Sequence, residues 1–244
     1  MIKFFLHIRK SLLMENKTGK YFKYALGEIL LVMIGILLAL QVNNWNESRK
    51  EQVIELEYLI GIKKGLEEDL PFIESRMSKI INKISALHKI DSTYNPEKRN
   101  SNIKLQEISL DSISIDDIFH RGPLFRLTTG TYNALIANSH AGLIKNLELK
   151  QSIQELYGIT TLNIQSIYED LRTRGEFVIW KYSSELKYSD IQSFFIDNPN
   201  KNQVIADFDI YYRRQETMYH FLGRVRNFMI DIKDSIATEI EQDK

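Results

Sequence analysis

Glu216 and His220 stand four residues apart, a spacing that brings two side chains to one face of a helix and lets them share a metal ion. A metal centre needs further ligands, and none accompanies this pair, so it reads as a surface or packing contact. The other histidines, His7, His88, His120 and His140, belong to no HExxH or comparable ligand spacing. No GxSxG nucleophile elbow and no phosphate-cradling glycine loop occurs. The chain has no cysteine, hence no thiolate nucleophile and no disulfide. The sequence thus gives no catalytic residue, no metal and no cofactor, and the chain reads as a non-enzyme.

One patch does collect donors. His120, Arg121, Arg126, Thr128, Thr129, Tyr132, His140 and Lys145 interleave cations and aromatics around Gly122, Gly130 and Gly142. Such a set could bind an anionic ligand or a partner's loop. The alternative is that these side chains cap short helices and tie an insert to the rest of the fold, work for which loops use the same residue types. A long aromatic series from Phe177 to Phe221 reads mainly as core, with polar-tipped members available to a partner surface.

Whatever positions this patch must follow from the 18 residues Ala25 to Val42, an almost uninterrupted apolar run. As a helix they extend about 27 Å, close to the roughly 30 Å hydrocarbon thickness of a bilayer. The sequence predicts a transmembrane helix over residues 25–43. A cleaved signal peptide fits less well: its apolar core is usually shorter, and no small-x-small site precedes Gln41. Trp45, just after the run, reads as an interfacial anchor.

Residues 1–24 carry Lys3, Arg9, Lys10, Lys17, Lys20 and Lys23 against Glu15 alone, a net +5 in a chain whose net charge is +0. Basic residues gather on the cytoplasmic side of a span, so the N-terminus is expected inside and the remainder exported. No basic patch in the large remainder suggests nucleic-acid binding. Ile2, Phe4, Phe5, Leu6, Ile8, Leu12 and Leu13 fall on one helical arc, the pattern of a basic amphipathic leader on the inner leaflet. Within the span, Glu28 is either a partner for a charge on another protein, or a proton-linked group, or a side chain snorkelling to the headgroups near Lys23 and Tyr24. Gly35 and Ala39 form a small-xxx-small pair through which two helices could approach.

The leader Phe4-Phe5-Leu6-His7-Ile8-Arg9-Lys10, the segment Tyr24-Ala25-Leu26-Gly27-Glu28-Ile29 and the stretch Gly35 to Asn46 closely resemble a family of uncharacterised, small, single-pass membrane proteins from Bacteroidota, a domain of unknown function. A looser similarity covers Thr131 to Ile136 and Gly142 to Asn146. The resemblance implies a Gram-negative inner-membrane protein, and it brings no activity and no catalytic residues.

The exported part reads as all-α. Leu59, Ile62, Leu66, Leu70, Ile73, Met77, Ile80, Ile84 and Leu87 recur at three and four, a single helix stripe. Pro71 predicts a kink or restart near 69–72, and Gly61 and Gly65 weaken the helix before it. Residues 92–112 are a polar loop; short helical turns are expected over 114–119 and from Thr128 or Thr129 to about Asn138. Asn146 reads as the N-cap of a long helix from Leu147 to about Tyr188, whose stripe runs Leu149, Ile153, Leu156, Thr160, Ile164, Ile167 and Leu171. After Asn198-Pro199-Asn200 a last helix is expected over about 204–241, with its stripe from Tyr211 through Met218, Leu222 and Met229 to Ile240.

The expected organisation is a cytoplasmic leader (1–24), a transmembrane helix (25–43), a stalk helix (44–70) and an extracytoplasmic antiparallel helical bundle with a short helical insert (71–244). Three functional classes follow. A non-enzymatic, membrane-tethered domain for protein interaction or envelope scaffolding comes first, its partners the lipid bilayer and either a second copy or another envelope protein. A ligand-sensing ectodomain is the alternative, and its short cytoplasmic part would need a partner to relay the signal. An enzyme comes last.

Overall fold

The computed structural model describes residues 18–91, 103–110, 118, 126–182, 184, 190 and 192–242. Among them every regular element is helical. In chain order these are α1 (Thr18–Ile90), α2 (Gly130–Ala137), a 3₁₀ turn (His140–Leu143), α3 (Leu147–Glu155), a π turn (Leu156–Thr160), α4 (Thr161–Lys181), a second π turn (Gln192–Ile196) and α5 (Lys201–Gln242). The expected turn over 114–119 lies, apart from Ile118, outside the described residues, as does the expected end of the third long helix near Tyr188.

The chain divides into two compact units, Met1–Ile54 and Glu55–Lys244. In the first, α1 carries the apolar run, and Leu26, Ile29, Leu31, Val32, Ile34 and Leu38 are among many large apolar side chains left exposed. It is the one described helix long and apolar enough, by length and composition, to cross a membrane.

In the second unit α1, α4 and α5 pack side by side around a shared core. Glu74 of α1 meets Arg226 of α5 at 2.7 Å, and Met77 lies 3.5 Å from where a Cβ of Gly223 would stand. Toward the other end of that stretch Glu55 accepts from the Lys145 N–H, and the adjacent Asn146 reaches Glu239 of α5. α1 and α5 are therefore antiparallel. Between α4 and α5, Arg214 meets Asp170 at 2.8 Å, and Lys181 and Tyr182 both hydrogen-bond Asp207, again an antiparallel order. Burial pushes the Asp207 carboxyl up, but hydrogen bonds from Lys181, Tyr182 and Gln203 outweigh it and hold it below its ordinary value.

The stripes read from spacing face this core. Leu59, Ile62, Leu66, Ile73, Ile80, Ile84 and Leu87 of α1 are buried, with Leu70 and Met77 packed against them. Leu149, Ile153, Leu156 and Ile164 are buried along α3 and α4, and Met218, Leu222, Val225, Met229, Ile232 and Ile236 along α5. Asn146 caps α3, accepting from the Leu149 N–H at 3.0 Å.

Of the kink or restart expected at Pro71, the restart does not occur: α1 runs through it to Ile90. Pro71 and Phe72 are exposed, as is Glu67, whose carbonyl loses its hydrogen bond to the proline, so water can satisfy the freed group. A π turn at Leu156–Thr160 separates α3 from α4 within what the sequence predicts as one long helix. That insertion turns Tyr157 inward, leaving it 7% exposed, while Ile159 faces solvent.

Candidate interaction site

The segment 126–146 lies along α1, and two of its anchors, Glu55 and Asp69, belong to one stripe. Spaced at three and four, Glu55, Leu59, Ile62, Leu66 and Asp69 share a face of α1, so two carboxylates sit in line with core leucines. Both are buried, Glu55 at 5% and Asp69 at 3% exposure. A carboxylate in such a place must be hydrogen-bonded.

Asp69 accepts two hydrogen bonds from Thr128, from its backbone N–H at 2.7 Å and its hydroxyl at 2.8 Å. Burial pushes the Asp69 carboxyl above its ordinary value; the two Thr128 bonds oppose the shift and Glu68 reinforces it. Glu55 accepts the backbone N–H of Lys145 at 2.8 Å, while the Lys145 ammonium lies 3.7 Å from its other oxygen. Between them Tyr58 and His140 are linked from the phenol oxygen to Nδ1 at 3.1 Å, and Asn138 donates to the same phenol at 3.0 Å.

Gly61 lets the segment come this close, whereas Gly65 has room for a side-chain carbon. A Cβ on Gly61 would fall 2.8 Å from the Thr131 side chain, and one on Gly65 would fall 3.5 Å from the Thr128 carbonyl. Behind α2, Tyr132 stacks on Tyr157 with ring centres 4.6 Å apart and planes 13° apart. Burial, aided by the nearby Asp69 charge, pushes the Tyr157 phenol up to about 12.

Of the patch read from sequence, His120 and Arg121 lie outside the described residues. Arg126 is exposed, Tyr132 stacks on Tyr157, His140 meets Tyr58, and Lys145 meets Glu55. The last three are thus spread over three separate contacts along α1 and its neighbour. Glu28, Gly35 and Ala39 all lie on α1 within the first unit, where a Cβ at Gly35 would meet nothing within 4 Å. Among the described residues, no three His, Cys, Asp or Glu side chains are grouped to hold a metal ion.

Glu55, Tyr58, Asp69 and Tyr157 are not among the residues that motif and spacing single out. For the two acids a signal was present: each occupies a position of the apolar three-and-four stripe, where a charge has a reason to be.

A family model described as "Family of unknown function (DUF6090)" matches residues 28–170, more than half of the chain. The chain belongs to this family. The DUF6090 match runs from Glu28 on α1 to Asp170 on α4, and so contains Glu55, Asp69 and the whole segment that docks on them. No curated protein and no solved structure matches the chain.

Proposed function

We propose that this DUF6090 protein is a non-enzymatic, membrane-tethered helical domain that acts by protein interaction or envelope scaffolding. In this reading α1 crosses the inner membrane of a Gram-negative bacterium once over residues 25–43. The basic leader stays in the cytoplasm and Glu55–Lys244 folds in the periplasm.

The observation that carries the reading is the exposure of the apolar run: from Leu26 to Val42 its large side chains stay exposed, whereas Glu55–Lys244 buries its own apolar stripes. Lipid would cover such a surface, and a run of this length matches a bilayer. The charge of +5 over residues 1–24 supports the orientation. An interaction role rather than ligand capture is supported by how Tyr132, His140 and Lys145 are used, each on a contact within the chain.

Crosslinking in native membranes, followed by identification of the captured proteins, tests the role. Specific protein partners are expected. A small molecule that raises the melting temperature of the purified protein would favour the sensing alternative, and turnover lost on His140→Ala would make the protein an enzyme.

A further inference from the structure

The stripe of α1 that packs into the core leaves an opposite stripe unused. Val53 and Ile60 are exposed, at 53% and 50%, on the side of α1 away from Leu59, Ile62 and Leu66. Followed back along the same helix in steps of three and four, this stripe passes Asn46, Val42, Ala39 and Gly35, all exposed. Such steps form the seam of a left-handed coiled coil.

We infer that this stripe is the contact between two copies of the chain, whose α1 helices run parallel and in register. The inference rests on the proposed span, which fixes both helices in the same direction. Three observations choose a second copy over another partner. In heptad terms Val53 and Ile60 take a positions and the half-buried Leu56 the d position between them, with Arg49 at the d position before it, and β-branched a with leucine d favours a parallel two-stranded pair. Asn46 takes an a position as well, and a lone a-position asparagine is best met by the same asparagine of an identical helix, which sets register. Gly35 and Ala39 fall in the same phase, so the backbones can approach where leucines would hold them apart. Arg49 is the one charge on the outer part of the stripe; its aliphatic stem can lie along the seam while the guanidinium reaches water.

The chain has no cysteine, so single cysteines report proximity without background. Asn46→Cys, Val53→Cys and Ile60→Cys, oxidised in native membranes, are expected to give disulfide-linked dimers several-fold above Glu51→Cys, which is exposed on another face of α1. Val53→Glu added to Asn46→Cys is expected to lower the dimer yield several-fold. Equal yields at all four positions, no dimer at any, or a disulfide to a different protein overturns the inference. Fractionation of the same samples separates the two readings. A soluble chain that crosslinks with this periodicity keeps the self-contact and removes the span; a membrane-integrated chain without it does the reverse.

Discussion

Gly61 lies directly against Thr131: a Cβ added to the glycine would stand 2.8 Å from both Oγ1 and Cγ2 of the threonine. Four residues on, Gly65 faces Thr128 at ordinary van der Waals separation, with its nearest atom 3.5 Å away. The two glycines therefore differ in what they do, although both lie on α1 and both lower its helix propensity. Gly61→Ala is expected to destabilise the protein by about 1 kcal/mol, because the clash with a β-branched neighbour outweighs the gain in propensity. Gly65→Ala is expected to be neutral or stabilising by up to about 1 kcal/mol. Melting of full-length protein in detergent, followed by helical circular dichroism, checks both. In the double variant Gly61→Ala with Thr131→Ala the loss should largely disappear, a coupling that a double-mutant cycle reads directly.

Asp69 predicts an inverted pH response. Its carboxyl is raised in the folded state, so between its ordinary 3.8 and that raised value the folded chain binds a proton more readily than the unfolded one. The stability tied to this group is thus complete below 3.8 and falls as pH rises through the folded value. Asp69→Asn removes the dependence, so wild type should gain on the variant as pH is lowered from neutrality through that window. Parallel melts of the two proteins across the acid range measure it; a constant difference would contradict the assignment.

Tyr157 makes the same argument at high pH. Its phenol is raised from 10.0 to about 12, so above 10.0 the unfolded chain releases a proton that the folded chain keeps. Stability present below 10.0 is lost as pH rises toward 12, and Tyr157→Phe should lose less than wild type over that interval. The variant should also lack one late-titrating phenol in an ultraviolet titration.

Glu55 and Lys145 separate a buried hydrogen bond from an exposed ion pair. The lysine side chain is 60% exposed and its ammonium sits 3.7 Å from a carboxylate that is 7% exposed. Lys145→Ala keeps the backbone N–H that Glu55 accepts, and is expected to cost no more than about 0.5 kcal/mol. Glu55→Ala strands that N–H and is expected to cost about 2 kcal/mol. Urea unfolding of the two variants should show this order, and the reverse order would mean the ammonium is the stronger tie.

The long elements were legible in the sequence because their physics is periodic. Met218, Leu222, Val225 and Met229 must share a face of any helix that contains them, and they are buried together. Asn146 was legible as a cap for a local reason, since its side chain serves a backbone group three residues away. What was not legible depends on distant partners. The glycines at 61 and 65 read as weak helix, and only the threonines of a segment some sixty residues later explain them. Pro71 leaves a kink and a restart both open, because sequence does not say that its ring faces solvent. The π turn at Leu156–Thr160 left no mark in the stripe, since one inserted residue shifts phase by less than the width of an apolar face.

The proposed function requires α1 to be threaded through a bilayer with the basic leader inside. The direct measurement treats cells stripped of their outer envelope with protease, then extracts the membranes with carbonate. The chain is expected to resist carbonate, and protease from outside is expected to remove Glu55–Lys244, leaving a short membrane-held fragment. Full-length protein released by carbonate, or its large unit shielded until the inner membrane is lysed, would contradict it.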